Sequence, residues 1–68
     1  MKDTIIKDEY IKLGQFLKFE AIIDSGSYAK IFLLENEVFV NGEKEDRRGR
    51  KLYRGDIIKI SNEEFLIK

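Results

Sequence analysis

Apolar and polar positions alternate along this 68-residue chain in two rhythms. Leu13, Phe16, Leu17 and Ala21 follow i, i+3, i+4, i+8 spacing. That period gathers them on one face of a helix and leaves Gln15 and Lys18 on another. Asp24-Ser25-Gly26-Ser27 breaks the pattern. Ser25 or Ser27 can cap a second helix by accepting a hydrogen bond from an orphan backbone N–H. Neither has Glu or Gln three residues on, so the capping box is absent. That second helix is expected over residues 28–35, with Ala29, Phe32 and Leu33 as its core stripe. Ile31 and Leu34 widen that stripe beyond the need of a surface helix. Asn36 is the expected stop, because asparagine tolerates the left-handed conformation that ends many helices.

The rest of the chain has strand character. Thr4-Ile5-Ile6-Lys7 is a β-branched cluster and predicts a first strand, ended by Asp8-Glu9-Tyr10. Val38-Phe39-Val40-Asn41-Gly42-Glu43 is the strongest local signal. Asn-Gly after such a run predicts a type I′ hairpin, since both central residues need φ > 0. The return strand would be Glu43-Lys44-Glu45, short, polar and wet on one face. Gly55-Asp56 signals another turn, Ile57-Ile58-Lys59-Ile60 a strand, Ser61-Asn62-Glu63 a turn, and Glu64-Phe65-Leu66-Ile67 the last strand. The N-terminal strand needs a partner, and the last strand is the natural one. The expected fold is α+β, a single domain over residues 1–68: two short helices packed on a small, mainly antiparallel sheet of four to five strands.

Composition narrows the chemistry. The chain has no cysteine and no histidine, which excludes disulfides, thiolate zinc sites and histidine catalysis. No apolar run approaches the roughly 18 residues of a membrane span. The start, Met1-Lys2-Asp3-Thr4, lacks the apolar segment of a signal peptide. The thirteen carboxylates form no spaced pair, and no nucleophile sits in a known motif, so no enzyme is expected. Asp24-Ser25-Gly26-Ser27 is not a P-loop, and Glu35, Glu37, Glu63 and Glu64 lack EF-hand spacing. No metal or cofactor is implied.

Charge adds a positive signal. The formal net charge is zero, yet all four arginines fall between Arg47 and Arg54. Residues 44–54 hold Lys44, Arg47, Arg48, Arg50, Lys51 and Arg54 against Glu45 and Asp46, a local net of +4. A concentrated basic loop on a neutral protein points to a polyanion. Arginine brings a planar fork that matches phosphate oxygens. The plainer alternative is a solvated turn whose cations pair with Glu43, Glu45 and Asp46.

These elements in order resemble the RNA-binding domain named after small-subunit ribosomal protein four, the S-four domain. The matching stretches are Lys12-Leu13-Gly14-Gln15-Phe16-Leu17, Ser25-Gly26-Ser27-Tyr28-Ala29, Asn36-Glu37-Val38-Phe39-Val40-Asn41-Gly42 and Gly55-Asp56-Ile57-Ile58. With Arg47-Arg48-Gly49-Arg50-Lys51-Leu52-Tyr53, the chain is similar to the small stand-alone bacterial members of the YaaA type. The resemblance covers about residues 3–60. It implies the alpha-L motif and a non-catalytic, cytoplasmic, ribosome-associated protein that binds structured RNA, ribosomal or transfer RNA. Three positions depart from the pattern. Gly26 replaces an arginine, Gly14 an aspartate, and Asn36 a glycine.

On this reading, Arg47, Arg48, Arg50, Lys51 and Arg54 supply electrostatic affinity. Lys12, Gln15, Lys18, Ser25, Ser27 and Lys30 add contacts from the helix pair. N–H groups near Ser25 to Ser27 are a candidate phosphate seat, and Asn41 can touch a sugar-phosphate. Lys30 and the loop would compensate for the arginine missing at Gly26, the loop carrying most of the affinity. Tyr10, Tyr28 and Tyr53 are candidate stacking platforms, Tyr53 foremost, unless it anchors the loop to the sheet. Phe16, Phe32, Phe39 and Phe65 are expected in the core. The alternative function is a protein-docking adaptor, with the loop on an acidic partner and Ile31, Leu34 and Phe39 as an apolar patch.

Overall fold

The computed structural model describes residues 1–68. Its element order is β1 (Lys2–Thr4), β2 (Tyr10–Lys12), α1 (Leu13–Phe19), a 3₁₀ turn (Gly26–Tyr28), α2 (Ala29–Glu35), β3 (Val38–Val40), β4 (Glu43–Lys44), β5 (Lys51–Tyr53), β6 (Ile57–Ile60) and β7 (Glu63–Ile67). Five strands form one mixed sheet in the order β1-β7-β6-β3-β4, and β2 and β5 form a separate two-stranded sheet. No helix is long and apolar enough to cross a membrane.

Strand alternation sets which residues meet the helices. Opposite pairs Val40–Ile58 and Ile58–Phe65 line up three strands on one face, and Thr4 lies beside Ile67 at the edge. All of these are buried, together with Leu13, Phe16 and Leu17 of α1 and Ala29 and Leu33 of α2. The Phe16 ring meets Phe65 edge-on at 5.2 Å, which fixes α1 against β7. Phe39 falls in the opposite phase of β3. It opposes Lys44 and Lys59 on the other face and is only half-buried, as is Phe32. Of the four phenylalanines expected in the core, Phe16 and Phe65 are buried, Phe32 packs against the cluster from its margin, and Phe39 stands apart.

The Asn-Gly hairpin forms as expected, with Asn41 at φ 51° and Gly42 at φ 86°. The asparagine side chain is engaged within the protein. Asn41 Nδ2 donates to Asp56 Oδ1 at 3.0 Å, and Asn41 Oδ1 accepts from Ile57 N at 2.9 Å. Asp56 Oδ2 accepts from Tyr53 N at 2.8 Å. The Asn-Gly and Gly-Asp turns thus clasp each other across the sheet, which gives Asn41 a structural role.

Four expectations shift. The first strand is Lys2–Thr4, because β7 ends opposite Thr4 and offers no partner further on; β1 does lie beside β7, in parallel. Tyr10 opens a strand instead of breaking one, and residues 51–53 of the basic loop are its antiparallel partner. Asn36 is extended, at φ −131° and ψ 151°, and ends α2 by donating from both its backbone N and Nδ2 to Phe32 O. Ala21 lies outside α1, exposed and left-handed at φ 58°. There Ala21 N donates to Lys18 O and Ile22 N to Leu17 O, both at 2.9 Å, which is the Schellman closure usually given to glycine. That conformation is sterically unfavourable for alanine. Ala21→Gly should therefore raise stability by about 1 kcal/mol in urea titrations at unchanged m-value.

Candidate nucleic-acid interface

The basic loop is shaped from inside by one carboxylate. Glu45 is 6% exposed, on the far side of the hairpin, and its N–H donates to Val38 O. Both carboxylate oxygens accept from the loop: Arg47 N at 3.0 Å, Arg47 Nε at 2.9 Å, Arg47 Nη2 at 3.0 Å and Arg50 Nη1 at 2.7 Å. The Arg47 hydrogen bond is the main cause holding the Glu45 carboxyl down at about 2; burial opposes it, and Arg50 reinforces it. Arg50 N closes the turn onto Arg47 O at 3.1 Å.

The folded loop then docks on the start of α1. Leu13 N donates to Arg50 O and Gly14 N to Arg48 O, each at 2.8 Å. These carbonyls satisfy two N–H groups that a helix start leaves without partners. Gly14 suits the closeness of the approach: a Cβ there would lie 3.3 Å from Arg48 Cβ and 3.4 Å from Arg48 O and Ala29 Cβ, a tight fit that the loop would have to shift slightly to admit. The departure from the family aspartate is thus where the loop sits down.

Docking creates a polar groove of about 460 Å³ lined by Lys12, Gln15, Lys18 and Arg48, with Gly14, Gly26, Gly49 and Ala29 as its floor. Three cations share this space with no carboxylate in its lining. Gln15 Oε1 accepts from Lys12 N at 3.1 Å, which commits the oxygen and leaves the amide NH₂ as a donor. A Cβ placed on Gly26 would meet nothing within 4 Å, so the groove is open where the family carries arginine.

The structure disperses the other predicted site residues. Arg47 and Arg50 belong to Glu45, as the charged-turn alternative required, although Arg47 stays 72% exposed. Lys51 sits on β5 with its Nζ 4.8 Å over the Tyr10 ring. Tyr53 pairs with Tyr10 at 5.9 Å between centroids, tying β5 to β2 with one side still exposed. Arg54 points to the chain ends, donating to Ile6 O at 2.8 Å and Lys68 O at 2.9 Å. Ser25 caps the 3₁₀ turn by accepting from Ser27 N, and its hydroxyl meets that of Ser27 at 2.9 Å. Neither serine nor Lys30 lines the groove, and neither do Ile31 and Leu34, which stand exposed on α2. Sequence reasoning missed the glycine lining of the groove, and it named Glu45 only as one of three carboxylates able to pair with the loop, not as the one that folds it. The signal for the second was present, in a lone Glu-Asp pair among six cations.

Comparison with known proteins agrees with this fold. The family model of the S4 domain matches residues 4–68. The chain belongs to the S4 domain family. It is also 58% identical over 55 residues to the "Probable ribosome maturation protein RlbA" of Bacillus subtilis (strain 168), a match covering 81% of this chain and 78% of that protein.

The pH dependence of the loop follows from Glu45. Its folded value of about 2 lies below the ordinary 4.5, so its contribution is present above pH 4.5 and is lost as pH falls through about 2. Glu45→Gln should flatten the acid limb of a stability–pH profile between those values. At neutral pH it should cost on the order of 2 kcal/mol, because charge-assisted hydrogen bonds become neutral ones.

Proposed function

We propose that this protein is a non-catalytic, cytoplasmic RNA-binding protein that contacts structured ribosomal RNA during ribosome maturation. One observation carries the reading: Lys12, Lys18 and Arg48 converge on a single groove whose lining holds no carboxylate. Clustered cations without local neutralisation are the footprint of phosphate binding. Family membership supports RNA as the polyanion, and the name of the Bacillus relative favours ribosomal over transfer RNA.

The division of labour in the loop differs from its composition. Arg48 reaches the groove, whereas Arg47 and Arg50 share the charge of Glu45 and retain a joint net of +1. Arg47 is exposed enough to add a phosphate contact at the rim. Arg54 has a folding role through its two carbonyl partners. Gln15 positions the start of α1 and offers its amide NH₂ to the RNA. An acidic protein partner is the competing occupant of the groove.

Labelled ribosomal RNA fragments titrated at several salt concentrations test the reading. Lys18→Glu and Arg48→Glu should each weaken binding, and each lost phosphate contact should lower the log–log salt slope by about 0.7–0.9. Lys59→Glu makes the same charge change on the outer face of β6, opposite Glu64, and should leave the groove intact. Absence of binding by the unaltered protein at low salt, or equal losses in all three variants, overturns the proposal. Gly26→Arg enters open space in the same groove and should tighten binding and steepen the slope by a similar amount. An unchanged slope would show that position 26 does not face the RNA backbone.

A further inference from the structure

A second groove adjoins the basic one. It measures about 640 Å³ and is lined chiefly by Ile5, Tyr10, Ile11 and Phe19, with Gln15 and Lys18 at its border. Gln15 and Lys18 also line the basic groove, so the two depressions share a border along α1. Phe19 ends α1 with 60% of its surface exposed, and Ile5 is 69% exposed where the chain leaves β1. Neither residue contributes to the core cluster. Both line the same groove, so their exposed surfaces belong to one apolar depression rather than to isolated positions.

We infer that this groove receives an unpaired nucleobase of the RNA held in the neighbouring basic groove. The inference rests on the RNA-binding function proposed for that groove. Three observations favour a base over a protein segment. The shared border means that an RNA backbone bound by Lys18 runs directly past the apolar lining. Lys7 stands at the apolar groove as a second cation for a flanking phosphate. The lining combines an exposed aromatic ring with flat aliphatic walls, the surface on which bases stack without regard to sequence. The volume falls within the roughly 300–1,000 Å³ usual for small-ligand pockets. Asp8 and Gln15 put an acceptor and a donor beside the site for the polar edge of the base.

The probe is a fluorescein-labelled RNA hairpin with a single-stranded tail, compared with the same hairpin carrying an abasic tail. The unaltered protein should bind the intact tail at least about 5-fold tighter, the usual loss for one stacked base. Phe19→Ala and, separately, Ile5→Ser should abolish that preference while leaving the salt slope unchanged, since no phosphate contact is removed. Both residues are exposed, and thermal melts of the variants check that folding is retained. Equal binding of both tails by the unaltered protein, with a normal salt slope, overturns the nucleobase site and leaves RNA binding standing. Full retention of the preference by Phe19→Ala overturns it as well. Failure to bind either hairpin at low salt removes both readings together. If Phe19→Ala leaves RNA binding intact but abolishes association with purified ribosomal proteins, the groove is a protein site and the inference is wrong.

Discussion

The carboxylate of Glu45 organises the part of the molecule that carries its chemistry. The turn at residues 46–50 carries three arginines that repel one another and no apolar side chain to hold it in place. One buried anion, reached by an arginine from each end of the turn, resolves both difficulties. It draws Arg47 and Arg50 inward and orients the carbonyls of Arg48 and Arg50 toward α1. The loop then completes the helix start, and the helix start fixes the loop. Burying such a charge is unfavourable unless several hydrogen bonds offset it, and Glu45 has four, all from the loop. The groove is a consequence of that docking, because Arg48 and Gly49 form one of its walls.

Most of the fold was legible because its signals are local. The Asn41-Gly42 turn, the apolar face of α1 and the strand at Ile57–Ile60 need only neighbouring residues to declare themselves. The errors arose where distant residues decide. Lys51–Tyr53 became a strand because Tyr10–Lys12 is available to pair with it, and neither segment alone has enough β-branched content to be recognised. Thr4 ends the first strand because its partner strand ends. Asn36 stops α2 through its side-chain amide, a second mechanism open to the same residue type. At Ala21 the Schellman closure overrides alanine's preference for helix, which no periodicity reveals.

The candidate site was legible as chemistry and not as geometry. A run of basic residues reports an excess of charge, but not which cations are neutralised from within. Of the six, Arg47 and Arg50 are bound to Glu45, Lys51 covers an aromatic ring and Arg54 holds the chain ends together. The one that reaches the groove, Arg48, does so between the two that share the Glu45 carboxylate. Lys12 and Lys18 come from a different element, six residues apart on α1 and its approach, and as isolated lysines in a linear sequence they look accessory. Charge density along a chain and charge density in space agree only where side chains have no internal partners.

The three glycines of the groove extend this point. Gly14, Gly26 and Gly49 come from α1, the 3₁₀ turn and the loop, and each exposes backbone where a side chain would otherwise fill space. At Gly14 the Cβ and carbonyl of Arg48 lie close, so the absence of a side chain lets the loop pack tightly on the helix. At Gly26 the space stays open. The two glycines therefore differ in their surroundings: the loop packs against one, and the other faces open space. The loop brings Arg48 to that groove, and the hydrogen bonds of Glu45 hold the loop folded. On the RNA-binding function proposed above, affinity for a polyanion then depends on an anion: removing the negative charge of Glu45 raises the net charge of the surface, yet loosens the loop that places Arg48. Long-range attraction would rise while the specific groove is lost, so the balance between the two separates electrostatic steering from a formed site.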